Sequence, residues 1–217
     1  MRRLYVALIV PLILLSFAIP LFDERTTNLY QPQLAYNYRT ISIDGNFSDW
    51  QGVSAYVDPI DDNWKYNDGH DWDRDLANFS ICHDANYVYF RIALREGAYF
   101  WGGEDVGDFE NYYILIDWDE DNSTGATLTP DGGNVPLDIG WDYGIYLYDP
   151  WTVRVYQTDG TNYANIADLT GDDYAYYGNQ IELRVPVSIL GGWSSLATGR
   201  IRVVVVAAKD FETAPYD

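Results

Sequence analysis

Residues 76–94 read LANFSICHDANYVYFRIAL, and this stretch decides the fold class. Two runs, Leu76–Cys82 and Tyr87–Leu94, are alternating or continuously apolar and rich in β-branched and aromatic residues, which is typical of strands. Asp84-Ala85-Asn86 between them supplies turn-forming residues. The stretch therefore predicts a β-hairpin whose second strand is buried on both faces.

Short runs of the same kind recur along the chain, separated by Gly, Asp, Asn and Pro. They are Thr40–Ile43, Gly52–Val57, Tyr112–Ile116, Tyr143–Tyr148, Val153–Gln157, Tyr163–Ile166, Tyr174–Tyr177, Ile181–Val185 and Ile201–Ala207. After residue 23 no segment has a sustained helical period, and only Pro186–Leu190 predicts a single helical turn. About ten strands joined mostly by short turns predict an all-β fold, a two-sheet antiparallel β-sandwich of the jelly-roll kind.

The N-terminal stretch predicts export. Arg2 and Arg3 precede the apolar run Leu4–Phe22, and a basic flank before an apolar core is typical of an export signal. The run is also nearly long enough to span a bilayer as a helix; a buried helix of a cytosolic fold is the alternative. We predict a signal peptide or signal-anchor helix over 1–22, a polar linker over 23–39 and a sandwich domain over 40–217, secreted or at the cell surface.

The charge excludes one class of partner. With 33 acidic and 13 basic residues, the formal net charge is −20, whereas a nucleic-acid partner requires a positive surface. Anionic lipid surfaces are disfavoured for the same reason, so membrane contact is expected only through an uncleaved N-terminal segment. The single cysteine, Cys82, allows no intramolecular disulfide and is predicted to be a buried thiol.

An acidic loop is the first candidate site. Residues 117–125 read DWDEDNSTG and place Asp117, Asp119 and Asp121 at alternate positions after a strand. Carboxylate oxygens at this spacing suit Ca²⁺, although the EF-hand pattern is broken because Asn122 stands where that loop needs Gly. The alternative is a solvated acidic turn.

Tryptophans in long acid-rich loops form the second candidate site. Trp64 and Trp72 lie among aspartates in the predicted loop Asp58–Asp75. Trp101 lies in the next, Glu96–Asn111, and Trp141 ends the third, Asp117–Trp141. Aromatic faces beside carboxylates are suited to holding sugar rings, so these four residues are predicted to bind ligand. The alternative is that the indoles fold back and plug the end of the sandwich.

Nothing in the sequence indicates catalysis. The only histidines are His70 and His83, and motifs such as HExxH and GxSxG do not occur. Acidic residues are too numerous to single out a glycosidase pair. We therefore predict no enzyme activity and no catalytic residues; a stand-alone hydrolase has no motif to support it.

Five phrases in order resemble one family. ISIDGNFSDWQGV, at residues 41–53, resembles the opening of the carbohydrate-binding family 9-like, or DOMON-like, β-sandwich domains. The residues that carry this likeness are Ile43, Asp44, Gly45, Asp49 and Trp50. The other phrases are LANFSICHDANYVYFRIAL, YYILIDWDEDNSTG, GWDYGIYLY and IELRVPVSILG.

The resemblance implies a jelly-roll-like extracellular binding module. Members of the family bind sugars, and some relatives bind haem. Carried over to this chain, the resemblance implies that Asp142 of GWDY joins Asp117, Asp119 and Asp121 as calcium-associated acids. Haem held by Met and His is excluded after processing because the only methionine is Met1, and ligation by both His70 and His83 is the alternative for haem.

Two functions from different classes follow. The first is a non-catalytic module that binds a glycan or polysaccharide, with structural Ca²⁺. The second is a structural surface protein, such as a subunit of a surface layer, filament or adhesion complex, which uses the same sandwich to contact other proteins. In the second case the segment Asp23–Arg39 could pair with a neighbouring sheet edge.

Overall fold

The structure, a computed structural model, describes residues 28–30, 38–58, 76–95, 110–128, 136–149, 152–196 and 200–209. These ranges hold thirteen strands: β1 (Asn28–Tyr30), β2 (Ala55–Val57), β3 (Leu76–His83), β4 (Tyr87–Leu94), β5 (Glu110–Asp117), β6 (Ala126–Leu128), β7 (Pro136–Trp141), β8 (Tyr143–Asp149), β9 (Thr152–Thr158), β10 (Tyr163–Leu169), β11 (Tyr174–Tyr177), β12 (Gln180–Pro186) and β13 (Arg202–Lys209). Within them the helices are short 3-10 turns, at Phe47–Trp50 and Trp193–Ser195.

Two antiparallel sheets form the sandwich, which confirms the predicted fold class. Sheet A has the strand order β1-β13-β5-β8-β9-β10, and sheet B has the order β11-β12-β4-β3-β2. β4 lies between β12 and β3, and β13 lies between β1 and β5, as their apolar sequences predicted. β6 and β7 pair separately as a two-stranded hairpin.

The main core lies between the sheets and follows from alternation. In β4, Val88, Phe90 and Ile92 point inward and are completely buried, whereas the partly exposed Arg91 points outward. Ile114 of β5 faces its partner Ile145 of β8 in the same core. Removing these side chains from water is the main term that stabilises the fold.

Residues 38–53, called here the N-terminal segment, cover the outer face of sheet B. Ile41 and Trp50 pack on Cys82 and Tyr89 in a second cluster. Cys82 is fully buried, as predicted, and burial raises the pKa of its thiol to about 12. The prediction of a strand at Thr40–Ile43 is wrong: these residues form no strand, and the Ser42 N–H donates to Oδ2 of Asp49 at 3.0 Å.

A buried carboxylate organises that segment. Glu182 of β12 accepts hydrogen bonds at Oε1 from the backbone N–H groups of Asp44 (2.9 Å) and Gly45 (2.8 Å). Its Oε2 accepts the indole N–H of Trp50 at 2.8 Å. The IDG and DW phrases therefore have a structural role, since they fold the segment around Glu182.

The β6–β7 hairpin covers part of the outer face of sheet A. Leu137, Ile139 and Trp141 pack on Leu115 and Val204 in a third cluster. The sequence predicted a long loop at Asp117–Trp141, so both strands were missed. β6 is only three residues long, Ala126–Leu128, and Gly140 interrupts the alternation of apolar residues in β7. The sequence therefore shows too little alternation for either strand to be predicted.

The segment predicted as a linker contributes β1. Asn28, Leu29 and Tyr30 pair with Val205, Val204 and Val203 of β13 and complete one edge of sheet A. The predicted signal or anchor segment, 1–22, lies outside the described residues. Where the chain is described, no helix is both long and apolar enough for a membrane span.

Candidate functional site

The structure brings three of the four predicted metal ligands together. Asp117 ends β5, Asp119 follows it in the loop, and Asp142 separates β7 from β8. One carboxylate oxygen from each lies within 4.8 Å of the others. Because β5 and β8 are neighbours in sheet A, their ends bring residues distant in sequence to one place.

Asp117 is the buried member of this acidic cluster. It is 0% exposed, and its Oδ2 lies 2.7 Å from Nη2 of Arg202 on β13. The contact lacks hydrogen-bond alignment, so neither oxygen of Asp117 has a hydrogen-bond partner of standard geometry. Burial, reinforced by Asp142 and Asp119, raises the pKa of Asp117 to about 7, although Arg202 and the Glu120 amide oppose the rise.

Asp142 and Asp119 are only partly buried. The backbone N–H of Trp118 donates to Oδ2 of Asp142 at 2.8 Å. Burial, with the nearby charges of Asp119 and Asp121, raises the pKa of Asp142 above its ordinary value. Asp119 accepts from the backbone N–H of Asp121 at 2.8 Å and from the Thr124 hydroxyl at 3.0 Å, so the loop fixes its orientation.

Asp121, the fourth predicted ligand, lies outside this cluster. Its Oδ1 accepts the backbone N–H (2.9 Å) and the hydroxyl (2.6 Å) of Ser123. These bonds lower the pKa of the exposed Asp121 carboxyl group. The carboxylate therefore stabilises a local turn.

Close backbone contacts hold the acidic loop against the neighbouring strands. Gly125 has a φ of 66°, and a Cβ there would clash with the carbonyl oxygen of Trp141. A Cβ on Gly160, in the β9–β10 turn, would lie 2.6 Å from the carbonyl oxygen of Gly125. The Thr158 N–H also donates to the Asp142 carbonyl at 2.9 Å. The loop, β7 and the β9–β10 hairpin therefore pack backbone to backbone.

The donor set fits a divalent cation. Three carboxylates beside the guanidinium of Arg202 leave two formal negative charges, so the cluster carries more negative charge than Arg202 compensates. Carboxylate oxygens are hard ligands, which Ca²⁺ prefers, and Ca²⁺ tolerates irregular geometry. Asp117, Asp119 and Asp142 could therefore supply part of a calcium shell.

Of the four predicted ligand-binding tryptophans, the structure describes Trp141. Trp64, Trp72 and Trp101 lie outside the described residues. Trp141 is 1% exposed, and its indole N–H donates to the Leu128 carbonyl at 2.9 Å. It is a core residue and offers no ring face to solvent. Its ring stacks instead on Tyr163, with centroids 5.4 Å apart and planes at 12°.

Two other tryptophans form a stack at one end of the sandwich. Trp118 and Trp193 have centroids 5.9 Å apart, and the Trp118 indole donates to the Ser195 hydroxyl at 2.7 Å. His83 contacts Trp193 edge to face. His83 is therefore part of the aromatic packing here, while His70 lies outside the described residues.

Sequence reasoning missed Tyr163, an exposed aromatic residue on β10. Its strand was predicted, but the partner strand and register that place its ring on Trp141 could not be read from one sequence. The alternating sequence of β10 was the feature that could have placed Tyr163 on an exposed face.

Comparison with known proteins places the chain in a family. The family model described as the SLH-like C-terminal binding module of glucodextranase matches residues 41–215. A solved structure, a carbohydrate-binding module of family 9 from Caldicellulosiruptor kristjanssonii in complex with glucose, is similar at 12% identity with a TM-score of 0.36. The alignment covers 70% of this chain and 67% of that one. The comparison with curated proteins found no match.

Proposed function

Since the chain belongs to the family of SLH-like C-terminal binding modules of glucodextranase, we propose that it is a non-catalytic carbohydrate-binding module that acts outside the cytoplasm. One observation carries the proposal: the family match runs from residue 41 to residue 215 and so includes both sheets apart from β1. Because the family is named for glucodextranase, a glucan is the first ligand to test.

The environment of two buried acids, Glu182 and Asp84, supports a non-catalytic role for them. A glycosidase needs two carboxyl groups free to face the scissile bond. Glu182 accepts three hydrogen bonds from the N-terminal segment. Asp84 accepts bonds from Thr40, Asn86, Tyr87 and Tyr89. Both carboxylates are therefore engaged in holding the fold.

The location outside the cytoplasm rests on two observations of different kinds. The basic residues Arg2 and Arg3 before the apolar run Leu4–Phe22 have the pattern of an export signal. The family description also compares these modules with SLH, a class of cell-surface domain. Fractionation of cells that express the full chain tests this part of the proposal.

We further propose that Asp117, Asp119 and Asp142 hold a structural Ca²⁺ ion. The proposal is supported by the buried carboxylate of Asp117 and by the two further acids beside it, which together carry more charge than Arg202 compensates. The ion would supply positive charge at the point where β5, the acidic loop and β8 meet. It would thereby stabilise the folded state.

Thermal melting with and without Ca²⁺ tests the ion. Calcium should raise the Tm of the chelator-treated protein, and Asp119→Asn should reduce this rise. Asp121→Asn is the matched control, because it removes a carboxylate of the same loop that lies outside the cluster and keeps Oδ1 for Ser123. An equal rise in both variants, or no rise in the natural protein, contradicts the calcium site.

Binding to a panel of polysaccharides tests the ligand. The purified domain should bind at least one soluble glucan, xylan or mannan in affinity electrophoresis, and EGTA should weaken this binding. A protein that binds no member of the panel, in Ca²⁺ or in EGTA, contradicts the proposed function.

A structural surface subunit is the second candidate, and the SLH-like character of the family favours it. The pairing of Asn28–Tyr30 with β13 of the same chain bears on its mechanism, because it fills the edge that a donor segment from a neighbour would occupy. Light scattering over a range of concentrations separates the candidates. Reversible assembly without glycan binding favours the surface subunit.

A further inference from the structure

One surface of the β9–β10 hairpin carries aromatic and polar side chains together. The register pairs Tyr163 with Thr158, Asn165 with Tyr156, and Asp168 with Arg154. Paired residues project from the same side of a sheet. The opposite side of these strands carries the buried residues Val153, Val155 and Leu169, so the first set faces away from sheet B. We call Arg154, Tyr156, Tyr163, Asn165 and Asp168 the β9–β10 face.

The Tyr163 ring is exposed and held in place. Tyr163 is 47% exposed, although one face of its ring lies on the buried Trp141. The Trp141 indole is itself fixed by its bond to the Leu128 carbonyl. A ring held in this way loses little conformational freedom when a ligand stacks on it, and this favours binding.

The polar residues of the face form a hydrogen-bonded set. The Asn165 amide donates to Oδ1 of Asp168 at 2.9 Å, and Nε of Arg154 lies 3.4 Å from the same oxygen. The side chain of Asp168 is nevertheless 69% exposed. Exposed carboxylate and amide groups held in this way can bind hydroxyl groups.

The shape of the face suits an extended ligand. β10 is the edge strand of sheet A. From Arg154 to Thr158 the face is roughly 13 Å long, given the rise per residue of a strand. A register shift between Asn165 and Ala167 interrupts the pairing, and such irregularities protect an edge from adding another strand. The side-chain surface, rather than the backbone edge, is therefore available to a partner.

We propose that the β9–β10 face is the carbohydrate-binding surface, with Tyr163 stacking on a sugar ring and Asn165, Asp168 and Arg154 binding its hydroxyl groups. The inference rests on the carbohydrate-binding function proposed above and assigns it a location. Trp141 is a positioning residue, because it supports the ring of Tyr163.

Substitution of Tyr163 tests the location. Soluble dextran, starch, xylan, mannan and β-glucan serve as probes in affinity electrophoresis, and titration calorimetry then follows for each polysaccharide that binds. Tyr163→Ala should weaken binding by about tenfold or more, as loss of a central aromatic contact does. Tyr163→Phe keeps the ring and should retain binding within about twofold, since stacking needs no hydroxyl.

Tyr177→Ala is the matched control. Tyr177 is 77% exposed on β11 of sheet B, so its loss removes an exposed ring of the same kind elsewhere. This variant should bind like the natural protein, and circular dichroism checks that all variants fold. Unchanged binding in Tyr163→Ala overturns the location and leaves the proposed function standing. A natural protein that binds none of the five polysaccharides overturns both.

Discussion

The carboxylate of Glu182 and the indole of Trp50 are joined by a 2.8 Å hydrogen bond across 132 residues of sequence. The same carboxylate accepts the backbone N–H groups of Asp44 and Gly45. One side chain of a central strand therefore fastens the N-terminal segment to sheet B.

Glu182→Ala should lower the free energy of unfolding by about 3–5 kcal/mol, because it leaves donors of the segment without their buried acceptor. Urea denaturation measures this loss. Gln180→Ala, on the same strand, is the control. The Gln180 side chain accepts a hydrogen bond from the partly exposed Arg91, so its loss should cost much less. Equal losses in the two variants would show that Glu182 has no special role.

Asp84 should make the fold more stable above its pKa. Burial alone would raise the pKa of Asp84, but hydrogen bonds from Tyr89, Asn86, Tyr87 and Thr40 together lower it below its ordinary value. A carboxyl group with a depressed pKa stabilises the folded state above its unfolded pKa, and this contribution is lost as the pH falls through its folded pKa.

Asp84→Asn should therefore cost more stability at about pH 6 than at about pH 3. Denaturation of the variant and the natural protein at both pH values measures the difference. Asp172→Asn, in an exposed turn, controls for the loss of one negative charge. A gap that stays constant with pH would contradict the role assigned to the Asp84 charge.

In metal-free protein Asp117 should make stability fall as the pH rises, which is the opposite of the effect expected for Asp84. Its pKa of about 7 means that the folded state keeps a proton which the unfolded state has already lost above about pH 4. The free energy of unfolding should therefore fall as the pH rises from about 4 to about 7. Asp117→Asn should flatten this part of the profile, and saturating Ca²⁺ should do the same in the natural protein. A slope that persists in the variant points to other groups.

Gly125 should tolerate a side chain far less well than Gly178. Both have positive φ, 66° and 60°, so alanine at either position carries a strain of roughly 1–2 kcal/mol. A Cβ on Gly178 meets nothing within 4 Å, whereas one on Gly125 meets the backbone of Trp141 and Gly140. Gly125→Ala should thus destabilise the protein by more than Gly178→Ala in urea denaturation. Equal effects would mean that the loop moves freely.

The sheets could be predicted because their strands alternate or are wholly apolar, as in Tyr87–Leu94. The errors have physical causes. ISID at residues 41–44 alternates like a strand, but the Ser42 N–H donates to Asp49 and the Asp44 N–H donates to Glu182, which is far away in sequence. Pro136–Trp141 forms a strand within an acidic, glycine-rich region because its apolar side chains cover sheet A.

The candidate sites were likewise predicted only in part. Asp117 and Asp119 were found from local spacing and Asp142 from a family resemblance. Spacing could not show that the Asp121 carboxylate bonds to Ser123. Likewise, composition marked Trp141 as a ligand-binding residue, but only the register of β9 and β10 shows that the exposed ring above it belongs to Tyr163.

The backbone contacts between the acidic loop and the β9–β10 hairpin have a thermodynamic consequence for the two proposed sites. Asp142 offers its carboxylate to the cation cluster and its carbonyl to Thr158, the cross-strand partner of Tyr163. The two proposed sites are therefore connected through backbone hydrogen bonds between neighbouring strands. Linkage is reciprocal, so the factor by which Ca²⁺ changes the affinity for the glycan must equal the factor by which the glycan changes the affinity for Ca²⁺.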